Sequence, residues 1–232
     1  MKILHILYQS IPNISGSSIR SRDLINSQLK NGITPVVITS PFQPPLEVDL
    51  KKENIEGVIY YRTFSNNSNE IVAEGNTTLV IQLKKIIQLV KFTRTVYCIA
   101  KKEKVQLIHA HAMFFCAIAA LITSFRLMIP MAYEVRSLWE ERYKRKNIFK
   151  HVIFSIITYL ETFSMYYSDR IVVINNALKD NISKRYLLKN KIISIVPNAV
   201  DVSNIKIIEK KNKDLVFAYI GIFSPIVGLD LL

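Results

Sequence analysis

The chain is poor in cysteine, tryptophan and glycine, with two, one and six of these among its 232 residues. Cys98 and Cys116 fall in helical patterns without the C-x-x-C spacing of a redox or zinc site, which predicts reduced thiols in the core. A membrane span needs ~20 consecutive apolar residues, and no run reaches that length. The N-terminal apolar run is also too short for a signal peptide. The sequence therefore predicts a cytoplasmic protein with its own hydrophobic core.

Positive charge, in contrast, is abundant: the formal net charge is +13, from 31 Lys and Arg against 18 Asp and Glu. This excess suits nucleic acid, anionic lipid or a phosphorylated ligand. We expect no nucleic acid, because no helix-turn-helix, zinc-finger or RNA-binding sheet signature is present.

One basic segment is a long helix predicted at about residues 77–104. Lys84, Lys91 and Lys102 fall within about 20° of one another on it, at 100° per residue. This face suits an anionic membrane surface, and a solvated helix face is the alternative. The apolar arc opposite comprises Leu79, Leu83, Ile86, Val90 and Tyr97.

Apolar strand-like segments alternate with helices of ten or more residues along the chain. This order predicts an α/β fold: a Rossmann-like open, mostly parallel sheet with helices on both faces. We assign residues 1–203 to this domain and the charged residues 204–214 to a linker. Residues 215–232 then read as the first strand and turn of a second domain that is cut off at Leu232. The predicted strands are 2–8, 35–40, 58–64, 105–111, 130–136, 169–175, 191–198 and 215–221.

Ligands of such sheets bind outside the carboxyl ends of the strands. After the first strand, Gly16 permits close backbone approach and Ser17 can cap the following helix. Arg20 and Arg22, with the free helix amides, form a candidate anion site, and an ordinary surface helix is the alternative. The chain has no G-x-G-x-x-G, which argues against a nicotinamide-binding domain.

Two further strand ends carry polar side chains. His109 and His111 lie two apart on one strand and point to the same side, but a metal site would need a third ligand that is not evident. We interpret His109 as a core residue and His111 as a site residue. Glu134 and Arg136 share one face of the next strand, where they either bind a ligand or form a mutual ion pair.

The order of these segments carries a family resemblance. A first strand and glycine-containing loop, then IHAH, YEVRSLWEE, SDRIVVINNALKDNI and VPNAVD, resembles the N-terminal domain of family-4 retaining glycosyltransferases of the GT-B fold. The resemblance covers nearly the whole chain and implies two Rossmann-like domains, of which the first mainly binds the acceptor and the second the nucleotide-sugar donor. It also implies that His111 hydrogen-bonds the donor sugar, and that Gly16 and Glu134 keep a site role. No metal or other cofactor is implied.

The resemblance further implies a role in the synthesis of surface polysaccharide or glycoconjugates, with a glycan or lipid-linked acceptor. This chain departs from the family pattern at Ser15, where a second glycine is common. It also departs at Ile222 and Val227, where an Arg and a Lys commonly bind the donor diphosphate. The paired-glutamate segment of the family would lie downstream of Leu232, so we expect the chain alone to be inactive. The alternatives are a sugar-nucleotide epimerase of the same architecture and a non-catalytic subunit that needs a separate donor-binding partner.

Overall fold

A computed structural model describes residues 1–43, 51–63, 79–138 and 148–200. Residues up to Val200 form one compact unit. The predicted linker and the strand and turn after it, including Ile222 and Val227, lie outside the described residues. The strands are β1 Lys2–Leu7, β2 Thr34–Thr39, β3 Lys52–Ile55, β4 Val58–Tyr61, β5 Leu107–His111, β6 Met131–Val135, β7 Arg170–Val173 and β8 Ile193–Ile195. The helices are α1 Gly16–Lys30, α2 Leu79–Glu103, α3 Phe114–Leu127, α4 Ile148–Tyr167 and α5 Asn176–Ser183.

The strands form one sheet in the order β3-β4-β2-β1-β5-β6-β7-β8. Every neighbouring pair is parallel except β3 and β4, which form an antiparallel hairpin at the edge. The fold confirms the predicted Rossmann-like, mostly parallel sheet. β3 was not predicted, because its sequence KENI is polar and one of its faces is exposed. Its turn is formed by Glu56 and Gly57, whose positive φ angles of 52° and 85° match a tight hairpin.

Crossovers between parallel strands are right-handed, and this rule distributes the helices. In the order of the sheet, the step from β1 to β2 runs towards one edge, and the steps from β4 through β5 to β8 run towards the other edge. Because these steps have opposite directions, α1 lies on one face of the sheet and α2, α3 and α4 lie on the opposite face. The larger core cluster joins the second face to these helices through residues such as Ile108, Tyr133 and Met165. A smaller cluster packs Ile25 of α1 against Leu7, on the first face. Helices therefore cover both faces, as predicted.

The structure corrects one prediction about side-chain burial. Cys116 is buried, and burial raises the pKa of its thiol, but Cys98 is exposed. On α2 the buried residues include Phe92 and Val96, whereas Ile86 and Val90 of the predicted apolar arc are exposed. A periodic pattern places residues on a common face of a helix but does not by itself decide which apolar face contacts the sheet. None of the described helices is long and apolar enough to cross a membrane.

The loop after β1 leads into α1 through a capping box. The Ser18 amide donates to Ser15 Oγ over 3.1 Å, and the Ser15 amide donates to Ser18 Oγ over 2.8 Å. The N-cap of α1 is therefore Ser15, the residue before Gly16, and not Ser17 as the sequence suggested. This leaves the Ser17 hydroxyl and carbonyl available for other contacts.

We expect Ser15→Ala to lower the free energy of unfolding by about 1 kcal/mol, because it removes one half of the capping box. Urea unfolding followed by circular dichroism measures this change. The matched control is Ser27→Ala at an exposed position of the same helix, which should change stability by less than ~0.5 kcal/mol. Equal effects of the two substitutions would show that the cap does not stabilise α1.

Candidate functional site

A polar cluster lies on the face of the sheet that α1 covers. Side chains alternate along strands, so residues opposite the apolar core of β1, β5 and β6 face α1. In the register of the sheet, His5 lies beside His109, and His111 lies beside Glu134. α1 contributes Arg20 and Gln28 from above. The pairing of β1 with β5 and of β5 with β6 therefore brings together three histidines and a glutamate, all buried.

Glu134 is the centre of this cluster, and its side chain is 1% exposed. Its Oε1 accepts from Nε of Arg20 over 2.8 Å and from Nε of Arg136 over 3.0 Å. Its Oε2 lies 3.1 Å from Nδ1 of His111 and 3.3 Å from Nε2 of His109. Burial alone would raise the pKa of this carboxyl, but the histidines and Arg136 around it hold the pKa well below its usual range. Glu134 is therefore a buried anion at neutral pH.

The two arginines connect this anion to distant parts of the chain. Nη1 of Arg136 donates to the carbonyl of Ser17 over 2.8 Å and to the hydroxyls of Ser17 and Ser21 over 2.9 and 3.0 Å. The Nη atoms of Arg20 donate to three acceptors after β8, each over 2.7–3.0 Å: the carbonyls of Val196 and Pro197, and Oδ1 of Asn198. The cluster therefore joins α1, β6 and the segment after β8 at the carboxyl edge of the sheet.

A chain of hydrogen bonds runs from Arg136 through two histidines to α1. Arg136 can only donate, so Nδ1 of His111, 2.7 Å from Nη2, accepts. The proton of a neutral His111 is then on Nε2, which donates to Nδ1 of His5 over 2.9 Å. His5 in turn carries its proton on Nε2 and donates to Oε1 of Gln28 over 2.8 Å. Two groups lie at Nδ1 of His111, the carboxylate Oε2 of Glu134 at 3.1 Å and the guanidinium of Arg136 at 2.7 Å. The nearer of the two is a donor, and it selects this tautomer for both rings.

The surroundings also keep both rings neutral. Desolvation and the neighbouring His109 lower the pKa of His5 to about 3 and hold the pKa of His111 well below its usual value. His111 is 1% exposed and both of its nitrogens are engaged. In this arrangement a ligand that contacts His111 directly must first displace Arg136 or His5.

Three imidazoles so close together raise the question of a metal. The ligand atoms of His5, His109 and His111 lie within 4.8 Å of one another, so β1 supplies the third ligand that the sequence did not reveal. The charges argue against a dication, because two guanidiniums already surround a single carboxylate. The nitrogens of His5 and His111 are also engaged in a chain of hydrogen bonds, which a metal bound to them would break.

The predicted site residues have different roles in the structure. Ser17, Arg20, Glu134, Arg136 and His111 belong to one network, and Glu134 and Arg136 form the mutual ion pair that was one of the two interpretations. Gly16 lies apart from this network. It is exposed, and a Cβ added to it would have no neighbour within 4 Å, so its backbone is open to a ligand.

Sequence reasoning missed His5 and Gln28. The alternation of β1 does place His5 on the face opposite Leu4 and Ile6. Its contact with His111 follows only from the pairing of β1 with β5, which lie about a hundred residues apart in the chain.

Comparison with known proteins gives a family. The model of Glycosyltransferase Family 4 matches residues 14–204. No curated protein matches the chain significantly.

Solved structures share the fold. UGT2 of Phytolacca americana, complexed with UDP-2-fluoroglucose and pterostilbene, is 9% identical with a TM-score of 0.57, over 88% of this chain and 55% of that one. UGT89C1 of Arabidopsis thaliana, complexed with UDP-L-rhamnose, is 15% identical with a TM-score of 0.50, over 84% and 51%. A UDP-GlcNAc 2-epimerase of Methanocaldococcus jannaschii, 16% identical over 84% and 45%, has a TM-score of 0.48. This chain thus spans about half the length of these proteins. The likeness to the two plant proteins establishes the fold alone.

We expect Glu134→Gln to lower the free energy of unfolding by about 3 kcal/mol at neutral pH, because it leaves two guanidiniums without their buried counter-charge. The carboxyl is ionised in the folded protein far below its unfolded pKa, so its stabilisation is complete above about pH 4.5 and is lost as the pH falls below it. Urea unfolding as a function of pH measures both effects. Asp23→Asn, which breaks a half-exposed pair with Arg22, is the control and should cost less than ~1 kcal/mol. A loss no larger than that of the control would contradict the central role of Glu134.

His5 should make folding stability depend on pH in a higher range. The unfolded chain protonates this histidine below about pH 6.5, whereas the folded protein keeps it neutral down to about pH 3, so stability should decrease as the pH falls between these values. His5→Gln should reduce this slope, and His151→Gln, at an exposed position, should not. Nitrogen NMR of the wild type at pH 5 should show His5 and His111 as neutral rings protonated on Nε2. A charged ring at that pH would refute the assigned hydrogen-bond chain.

Proposed function

Because this chain belongs to Glycosyltransferase Family 4, we propose that it forms the acceptor-side half of a retaining glycosyltransferase. The reaction breaks the bond between the anomeric carbon of a nucleotide sugar and its diphosphate. It forms a bond from the same face of the sugar to an acceptor oxygen. The single observation that carries this proposal is the family match over most of the chain. The nucleotide sugars named with the similar structures fit the same donor class.

The site suggests how the chain's own residues contribute. The carbonyl and hydroxyl of Ser17 are held by Arg136, which in turn is held by Glu134 and His111. This network fixes the first turn of α1, where the exposed backbone of Gly16 offers close approach to a ligand. We therefore assign His111, Glu134, Arg136 and Arg20 a positioning role in the resting site. A direct contact between His111 and the donor sugar remains a prediction that requires Arg136 or His5 to move.

We further propose that catalysis needs no metal, since the two arginines already give the site a positive excess. The donor-binding residues would come from a second domain, on the same polypeptide or on a partner subunit. The acceptor would be a glycan or lipid-linked precursor of surface polysaccharide or glycoconjugate, used at the cytoplasmic face of the membrane. Positioning donor against acceptor supplies much of the rate, so we expect no turnover without the donor-binding half.

The proposal is tested by release of nucleoside diphosphate from UDP-, GDP- and dTDP-sugars in the presence of a lipid-linked acceptor fraction. We expect no release by the chain alone, and transfer with retained anomeric configuration, read by proton NMR, once a donor-binding domain is supplied. Conversion of the nucleotide sugar without an acceptor would instead identify an epimerase. Turnover by the chain alone would overturn the proposed division of roles.

In the active protein, Gly16→Val should lower kcat/KM for transfer by at least ~10-fold, because the new side chain occupies the space through which the ligand approaches the backbone. The fold should tolerate it, since a Cβ there meets nothing within 4 Å. Ser27→Val, on the same helix, should leave transfer unchanged. Full activity of the Gly16 variant would show that the substrate does not approach this turn.

A further inference from the structure

The outer surface of α4 carries an unusual row of exposed apolar side chains. At 100° per residue its members lie within an arc of about 100°, opposite the buried Glu161 and Met165. They are exposed by 37–63%. We call this set the apolar stripe: Val152, Ile156, Tyr159, Phe163, Tyr166 and Tyr167.

The apolar stripe continues onto the neighbouring helix. Phe125 of α3 is 61% exposed, and its ring centroid lies 6.0 Å from that of Tyr167. Within α4, the rings of Phe163 and Tyr167 lie 4.5 Å apart. Single exposed apolar residues are ordinary on a protein surface, but a contiguous set of this kind marks a contact surface.

The charges around the apolar stripe indicate what it contacts. α2, α3 and α4 lie on the same face of the sheet, and their sequences contain six, one and one Lys or Arg. Their two carboxylates are both withdrawn from this surface: Glu161 is buried, and Glu103 is half-buried and paired with Lys2. The described parts of these helices therefore present cations and no exposed carboxylate.

We propose that the outer surface of α2, α3 and α4 binds an anionic lipid membrane, with the apolar stripe entering the interface. Aromatic rings, tyrosine above all, are suited to this depth, because one end is apolar and the other hydrogen-bonds. Cations beside an apolar face add attraction to anionic headgroups. A second copy of the chain fits less well, since both partners would bring the same positive surface and a net charge of +13 to the contact.

This proposal and the sequence-based hypothesis assign the membrane contact to different residues. Lys84, Lys91 and Lys102 are exposed, as that hypothesis requires. However, the apolar surface that enters the membrane is on α4 and the end of α3, which the charge pattern of α2 did not reveal. The proposal stands independently of the glycosyltransferase activity, because it rests on surface composition alone.

The test is co-sedimentation of the purified protein with vesicles of phosphatidylcholine, alone or mixed equally with phosphatidylglycerol. We expect binding to the mixed vesicles to exceed binding to the neutral ones by at least ~10-fold and to weaken as salt rises. Replacing Ile156 and Phe163 by Ser together should reduce binding to the mixed vesicles ~10-fold or more. The matched control is Ile14→Ser, at a residue that is 87% exposed in the loop before α1.

A second pair of variants tests the electrostatic part. Lys91→Glu with Arg94→Glu should weaken binding and its salt dependence, whereas Lys30→Glu on α1, at the opposite face of the sheet, should do so much less.

All of these positions are exposed, so circular dichroism should show unchanged folding. Absence of binding to mixed vesicles, or equal losses in the control variants, would overturn the proposal. So would a dimer in sedimentation equilibrium that the Ile156 and Phe163 substitutions abolish, because a second copy would then occupy the apolar stripe.

Discussion

The buried charge of Glu134 is the constraint on which the carboxyl edge of this sheet depends. A carboxylate withdrawn from water is costly unless it is paired and hydrogen-bonded. Here two guanidinium groups satisfy one oxygen, whereas the other lies within 3.3 Å of two imidazole nitrogens and accepts no hydrogen bond from either. Because the partners come from α1, β5 and the end of β6, the folded arrangement of these elements is what makes the ionised carboxyl tolerable. The same contacts then hold α1 against the sheet.

The hydrogen bonds of this site have a defined donor and acceptor at each step. Because the guanidinium of Arg136 can only donate, His111 donates to His5, and His5 donates to the side-chain amide oxygen of Gln28. A network with one fixed donor has a single consistent set of tautomers, which makes it rigid in a way that an apolar core of the same volume is not. The rigidity extends to Ser17 and thus to the turn at Gly16. A polar sheet face is therefore what orients the loop at Gly16.

Much of the fold was predictable from the sequence, because short, near-continuous apolar segments such as β1 and β2 are typical of parallel strands buried on both faces. The polar edge strand β3 lacks that signal and was missed. The N-cap of α1 is Ser15 and not the predicted Ser17, because neighbouring serines are equivalent N-cap candidates in a sequence. The site was only partly predictable: Glu134 and Arg136 were recognised as neighbours, but the choice between ion pair and ligand contact depended on Arg20. That residue is more than a hundred positions away, and pairing over such distances is a property of topology.

The apolar stripe and the turn at Gly16 lie near the same edge of the sheet. Each helix of α2, α3 and α4 follows a parallel strand and runs back against it, so their N-termini lie at the carboxyl edge, where the polar cluster and Gly16 are found. The apolar stripe begins at Val152, near the start of α4, and so comes close to this edge. A lipid-linked acceptor on a membrane beneath the three helices would therefore have to reach only around the strand ends to meet the loop after β1. Membrane binding through α4 and substrate approach at Gly16 are thus geometrically compatible.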